Sequence, residues 1–205
     1  MKGARPLSAE EIKKMYSAFE GKYRVRNQTL FLLGINTGFR ISELLSVRVG
    51  DILEPDGSIK KYLAVSKNKM KRKRKGRTVV LNDKVKEALS RLLAHIDLGG
   101  IMSRDDAVFA SQDSVVAIGR KHAWRILTAA FLNAKIVGKL GTHTLRKTFA
   151  HNVHSWATEK LARGETIDPI LVTMNALGHS DPKATIRYLA IEDDIVDEAV
   201  FAIAA

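Results

Sequence analysis

Apolar residues recur at helical spacing along most of this chain, but between Val47 and Leu81 the rhythm shifts toward alternation. A chain patterned this way has to build a mainly helical core and fit one small sheet into it. Ser8 with Glu11 three residues on forms a capping-box pattern, opening a helix through Ile12, Met15, Tyr16 and Phe19. A second helix is expected over Val25 to Asn36, stopped near Gly38, and a short third through Ile41, Leu44 and Leu45, which sets Arg40 at a helix–turn–helix junction. Val47 to Ile52, Ile59 to Val65 and Arg77 to Leu81 read as a three-stranded antiparallel sheet, with Glu54-Pro55-Asp56-Gly57 as a turn. Asp83 can cap a helix through Val85, Leu89, Leu92 and Leu93, which Gly99-Gly100 ends. Further helices are expected over Arg120 to Val137, Leu145 to Leu161, Pro169 to Leu177, Pro182 to Ile191 and Asp193 to Ile203. The fold class is α+β, a mainly helical single domain with a small sheet.

With 205 residues, 45% of them hydrophobic, the chain can bury an adequate core, and without cysteine it must rely on packing instead of disulfides or thiolate metal sites. It has no apolar run near the roughly 20 residues that span a bilayer and no secretory signal pattern, so a cytoplasmic protein without a membrane partner is expected. Thirty-four lysines and arginines face 22 acidic residues, a formal net charge of +12, which points to a nucleic acid as the partner class. The alternatives from charge alone are a solubility surface or attraction to anionic lipid. The charge is densest at Lys67, Lys69, Lys71, Arg72, Lys73, Arg74, Lys75 and Arg77, in the expected hairpin loop. Eight cations in eleven residues are too many to pack inside. They are expected to straddle phosphates; a solvated loop or a basic targeting signal is the other reading.

Tyr188 follows Leu177-Gly178-His179-Ser180-Asp181-Pro182, in which Gly178 can stop one helix and Asp181-Pro182 can start the next. The tyrosine should therefore sit on a short helix just past a turn carrying His179. A lone tyrosine is usually a packing residue. As a nucleophile, a phenol with a pKa of about 10 needs a proton acceptor or stabilisation of its developing charge. Phosphoryl transfer without a metal also needs fixed cations on the non-bridging oxygens, and the planar guanidinium groups of Arg40 and Arg146 are the candidates. No carboxylate cluster is spaced for Mg²⁺ and no glycine-rich phosphate loop is present, so no metal or nucleotide cofactor is expected. His151 and His154 have the spacing of helical metal ligands, but no third ligand suggests itself. His143 and His179 suit proton transfer or phosphate donation, against a capping or core role.

Several local contexts carry a family resemblance. They are Thr37-Gly38-Phe39-Arg40-Ile41-Ser42-Glu43, Ser66-Lys67-Asn68-Lys69, His143-Thr144-Leu145-Arg146, Leu177-Gly178-His179 and Tyr188, in that order. From about Pro6 to the end of the Tyr188 helix the chain resembles the catalytic domain of the tyrosine recombinases, also called the phage integrase family. The resemblance implies a site-specific recombinase, integrase or invertase that forms a 3′-phosphotyrosyl intermediate without metal or ATP. It makes Tyr188 the nucleophile, Arg40 and Arg146 the phosphate clamp, Lys67 the general acid, and His143 and His179 the auxiliary pair. Glu43 supports Arg40, and Lys69 rivals Lys67. Lys147 stands where many relatives have histidine, outside the catalytic set.

The implied partners are double-stranded DNA and further copies of the chain, a monomer in solution becoming a dimer or tetramer on DNA, with a nucleoid location. Residues 1–205 correspond to the catalytic domain. The helical core-binding domain that usually precedes it is not in this sequence, which fits either a fragment or a naturally short member. The tail from about residue 192 docks on a neighbouring protomer or packs on its own domain. Two other functions stay open, a DNA-binding regulator with weak or no turnover and topoisomerase IB-like strand relaxation.

Overall fold

The structure, a computed structural model, describes residues 3–65, 76–97, 103–111 and 114–189. The chain divides into two compact units, Gly3–Asn152 and one that begins at Val153.

In the first unit α1 (Ala9–Ser17) begins at the expected capping box. The Glu11 N–H donates to Ser8 Oγ at 3.2 Å and the Ser8 N–H to Glu11 Oε2 at 2.9 Å. Helix α2 (Arg24–Thr37) is buried along much of its length, packs on α5 (Asp83–Asp97), and ends where Gly38 turns left-handed at φ 61°. Side chains Leu30, Phe31 and Leu33 of α2 join Leu44, Leu63, Leu89, Val108, Phe109 and Leu127 in the core. Each such residue contributes about 1.5–3 kcal/mol by leaving water. Helices α3 (Ile41–Leu44) and α4 (Val49–Ile52) are single turns, and α6 (Arg120–Asn133) packs on α1 and α3.

The sheet has two strands, not the three expected from the sequence. β1 (Tyr62–Val65) pairs antiparallel with β2 (Arg77–Val80), matching Tyr62 with Val80, Leu63 with Val79, Ala64 with Thr78 and Val65 with Arg77. The segment expected as a first strand coils into α4 because its polar residues satisfy their own turn. The Arg48 N–H donates to Asp51 Oδ2 and the Asp51 N–H to Arg48 O, both at 2.9 Å. What survives of strand pairing there is a pair of isolated bridges, from Arg48 to Ala107 and from Leu53 to Ile59, the second across the expected turn at Glu54 to Gly57.

Three boundaries also move. The cap of α5 is Asn82, whose Oδ1 accepts the Val85 N–H at 3.0 Å, instead of Asp83. Helix α6 stops at Asn133, short of Val137, because Lys135 adopts φ 54° and the Ile136 N–H closes onto Phe131 O at 2.9 Å. Helix α7 (Thr142–Ala162) starts a turn earlier than expected, which brings His143 onto the helix. The expected helix over Asp193 to Ile203 and the break at Gly99-Gly100 lie outside the described residues.

In the second unit α8 (Pro169–Leu177) starts on Asp168, whose Oδ1 accepts the N–H groups of Ile170 and Leu171 at 2.8 and 3.0 Å. It ends at Gly178, φ 61°, and packs on α9 (Pro182–Leu189). Among the described residues no helix is long and apolar enough to cross a membrane.

Gly38 is held by two independent constraints: its positive φ, and the Phe149 ring, whose Cδ1 an added Cβ would overlap. Gly57 has the same handedness, φ 84°, with open space around it. Gly57→Ala is expected to lose about 1–2 kcal/mol of stability from backbone strain alone. Gly38→Ala should lose about 2–5 kcal/mol, because overpacking adds about 1–3 kcal/mol. Urea unfolding of both variants measures the difference; equal losses would mean that Phe149 does not crowd position 38.

Candidate functional site

The turn from Thr37 to Arg40, between α2 and α3, organises the first group of functional side chains. Its helix end is tied by the Gly38 N–H to Gly34 O at 3.0 Å and by Thr37 Oγ1 to Leu33 O at 2.6 Å. Phe39 then turns into the core, while Arg40 begins α3. Glu43 secures Arg40 twice, accepting its backbone N–H on Oε2 at 2.8 Å and its Nη1 on Oε1 at 3.0 Å. The Glu43 side chain is 2% exposed and that of Arg40 37% exposed, so a buried carboxylate holds a guanidinium that still reaches solvent.

Arg146 comes to the same turn from α7. It is 2% exposed, and its Nη1 donates a short hydrogen bond to Gly38 O. Lys147 follows it, half-buried. His143, one turn earlier on α7, is an exposed residue whose ring is nonetheless partly desolvated. That desolvation lowers its pKa from the ordinary 6.5, and the charges of Arg40, Arg146 and Lys147 lower it further.

Arg77, expected from the sequence both among the loop cations that straddle phosphates and at the start of a strand, joins this group. It is only 8% exposed. One nitrogen donates a short hydrogen bond to Thr37 O, and the other reaches Gly38 O at 3.4 Å. Its guanidinium carbon lies 4.7 Å from the ring centroid of Phe39 and 5.9 Å from that of Phe149. Burial depresses its pKa to about 9, with Arg146 and Arg40 adding to the depression and Glu43 opposing it, so it stays cationic at neutral pH. The physical reason is strand parity: Arg77 pairs with Val65 and shares the inward side of the hairpin with Leu63 and Val65. Alternation continued one residue past the lysine-rich run was the signal that could have found it.

The second unit carries His179 and Tyr188. Gly178 ends α8 in the left-handed region, and the His179 N–H closes the turn onto Met174 O at 2.9 Å. Asp181 then starts α9 by accepting the Lys183 N–H at 2.9 Å. The His179 Nδ1 is 2.9 Å from Oγ1 of the fully buried Thr185, which fixes the ring, and the Tyr188 ring packs edge-on at a centroid distance of 5.7 Å. Thr185 had no motif to mark it. Lys67, Lys69, Lys71, Arg72, Lys73, Arg74 and Lys75 lie outside the described residues.

Because the depressed His143 pKa means that the unfolded chain binds that proton more tightly, protonation opposes the fold as pH falls below the ordinary imidazole range. In NMR the His143 ring should titrate below 6.5, and Arg146→Ala should move its midpoint up by removing one neighbouring cation. A midpoint at the ordinary value that ignores Arg146→Ala would contradict this electrostatic account.

A family model described as the phage integrase family matches residues 5–194. The probable integrase/recombinase YoeC of Bacillus subtilis (strain 168) is 29% identical over 187 residues, covering 91% of this chain and 89% of that protein. The tyrosine recombinase XerD of Oceanobacillus iheyensis is 30% identical over 185 residues, covering 89% of this chain but 56% of the relative. The chain thus spans most of one relative and little more than half of the other. A crystal structure of XerA recombinase superimposes with a TM-score of 0.68 at 21% identity, covering 100% of this chain and 67% of that one, which speaks for the fold. With a family match running over nearly the whole chain, and with the ordered arginine, histidine and tyrosine contexts inside the matched span, the chain belongs to the phage integrase family, among the tyrosine recombinases.

Proposed function

We propose that this protein is a site-specific DNA recombinase that cuts and rejoins double-stranded DNA through Tyr188, as a dimer or tetramer on its site. The observation that carries the reading is the Arg40–Arg146 pair, two guanidinium groups anchored by Glu43 and Gly38 O in a chain of this family. Such fixed cations suit the negative charge that gathers on the non-bridging oxygens in phosphoryl transfer. In the proposed reaction the Tyr188 oxygen attacks phosphorus and loses its proton, the bond from phosphorus to the 5′-oxygen breaks, and that oxygen takes up a proton. The products are a 3′-phosphotyrosyl bond and a free 5′-hydroxyl. Lys67 delivers the proton to the leaving oxygen, while His143 and His179 assist by proton transfer or by hydrogen bonds to the phosphate. The 5′-hydroxyl of a partner strand then reverses the step, so the phosphodiester's bond energy is kept and neither ATP nor a metal is consumed. The catalytic unit is residues 1–205.

The test is to select, from a pool of nicked duplexes of randomised sequence, those that become covalently attached to the protein in excess chelator. Wild-type protein is expected to give an adduct that survives denaturation. Tyr188→Phe should bind the same duplexes and give none; an adduct that persists in Tyr188→Phe would falsify the assignment. Relaxation of supercoiled DNA without exchange between sites would point instead to a topoisomerase-like activity.

The basic run supplies a second, independent check. If the side chains of Lys71, Arg72, Lys73 and Arg74 meet phosphates, replacing all four with alanine should reduce the slope of log K against log salt by up to about 3.6, at roughly 0.9 per phosphate contact. An unchanged slope would remove that run from the DNA interface.

A further inference from the structure

We infer that Arg77 is a positioning residue for the phosphate clamp, acting through the Thr37–Gly38 peptide and not by touching substrate; the inference rests on the recombinase reading above. Its guanidinium donates to two consecutive backbone carbonyls, Thr37 O and Gly38 O, and its face lies over Phe39 and Phe149, which commits it to the turn. Those carbonyls flank the point from which both clamp residues are set. Arg40 lies two residues beyond Gly38, and Arg146 donates to the same Gly38 oxygen. A carbonyl oxygen has two lone pairs, and here two guanidinium groups share them. Moving or removing one donor changes the place available to the other.

The shape of the side chain matters as much as its charge. The planar fork spans two consecutive carbonyls while its face lies over Phe39 and Phe149, the ring that also blocks any side chain at position 38. A lysine there keeps a cation but loses the span and the stacking. Holding a third cation beside Arg40 and Arg146 weakens the fold electrostatically, and an apolar residue would serve a merely packed position better.

Arg26 provides the internal control. It is similarly buried at 7% exposure and also bonds a backbone carbonyl, Ala110 O at 2.7 Å, but its other contacts are to Asn27 and the ring of Tyr23. Ala110, Asn27 and Tyr23 are not the groups, Gly38 O and Glu43, that hold Arg146 and Arg40. A residue that merely stabilises the fold should behave as Arg26 does.

The experiment uses the full chain and the nicked duplex selected above, and reads the first-order rate of adduct formation at saturating DNA, the Kd for DNA and the thermal midpoint. Arg77→Lys is expected to slow adduct formation about 10-fold and Arg77→Met about 100-fold, the range that an ångström of misplacement costs, with Kd changed less than about threefold. Arg26→Lys should lower the midpoint comparably and leave the rate alone. In an Arg146→Lys background, Arg77→Lys should slow the reaction by less than about threefold, because the two act through one carbonyl. Wild-type rates in both Arg77 variants, full additivity with Arg146→Lys, a loss that lies wholly in Kd, or failure of both variants to fold would each overturn the inference while leaving Tyr188 chemistry intact. Wild-type protein that forms no adduct overturns the recombinase reading, and this inference with it.

Discussion

Two guanidinium groups, from Arg77 and Arg146, converge on the carbonyl oxygen of Gly38, and much of the local architecture serves to keep that oxygen in place. The helix before it ends in a left-handed glycine, and the carbonyl of that glycine accepts from α7 and from β2. Phe149 fills the space that any side chain at position 38 would need, and Phe39 turns inward beneath Arg77. Thr37 donates its hydroxyl to Leu33 O, and its own carbonyl accepts from Arg77. Backbone carbonyls and aromatic faces can stabilise buried cations without bringing in further acidic groups.

The charge balance that results is lopsided. Among the described charges that act on Arg77, Arg146 and Arg40 depress its pKa and Glu43 opposes them, so with Arg77 itself three cations face one carboxylate, an excess of two positive charges. Carbonyl dipoles soften that excess but do not cancel it. An anion arriving next to Arg40 would meet donors already aimed and already paid for in folding, which is the physical content of a preorganised electrostatic site. His143 sits in the same field as a largely neutral imidazole, able to accept or to donate one hydrogen bond, whereas an imidazolium could only donate.

What could be read from the residues depended on whether the deciding interaction was local. The Ser8–Glu11 box and the glycine stops at 38 and 178 are governed within one turn of helix, and they stand where the sequence puts them. The first expected strand failed because Asp51 closed a helical turn on Arg48, a local hydrogen bond that the alternation of Val47 and Val49 masked. Asn82 and Asp83 are chemically near-equal caps, and one-residue register chose between them. Arg77 could be read both as a strand start and as one of the loop cations, because composition carries no parity; only pairing with Val65 reveals which way position 77 points. The environment of His179 was legible as a turn, whereas its anchor, Thr185, lies six residues on and carries no motif.

The pairing of Val65 with Arg77 has a consequence for how such a chain can vary. The inward direction of Arg77 is set by strand pairing through Leu63 and Val79 below it, not by the number or kind of residues that join 65 to 77. Length and charge in that join can therefore drift, by odd steps as well as even ones, without rotating the arginine out of the cluster. The arginine's direction thus belongs to the paired strands and not to the segment that joins them.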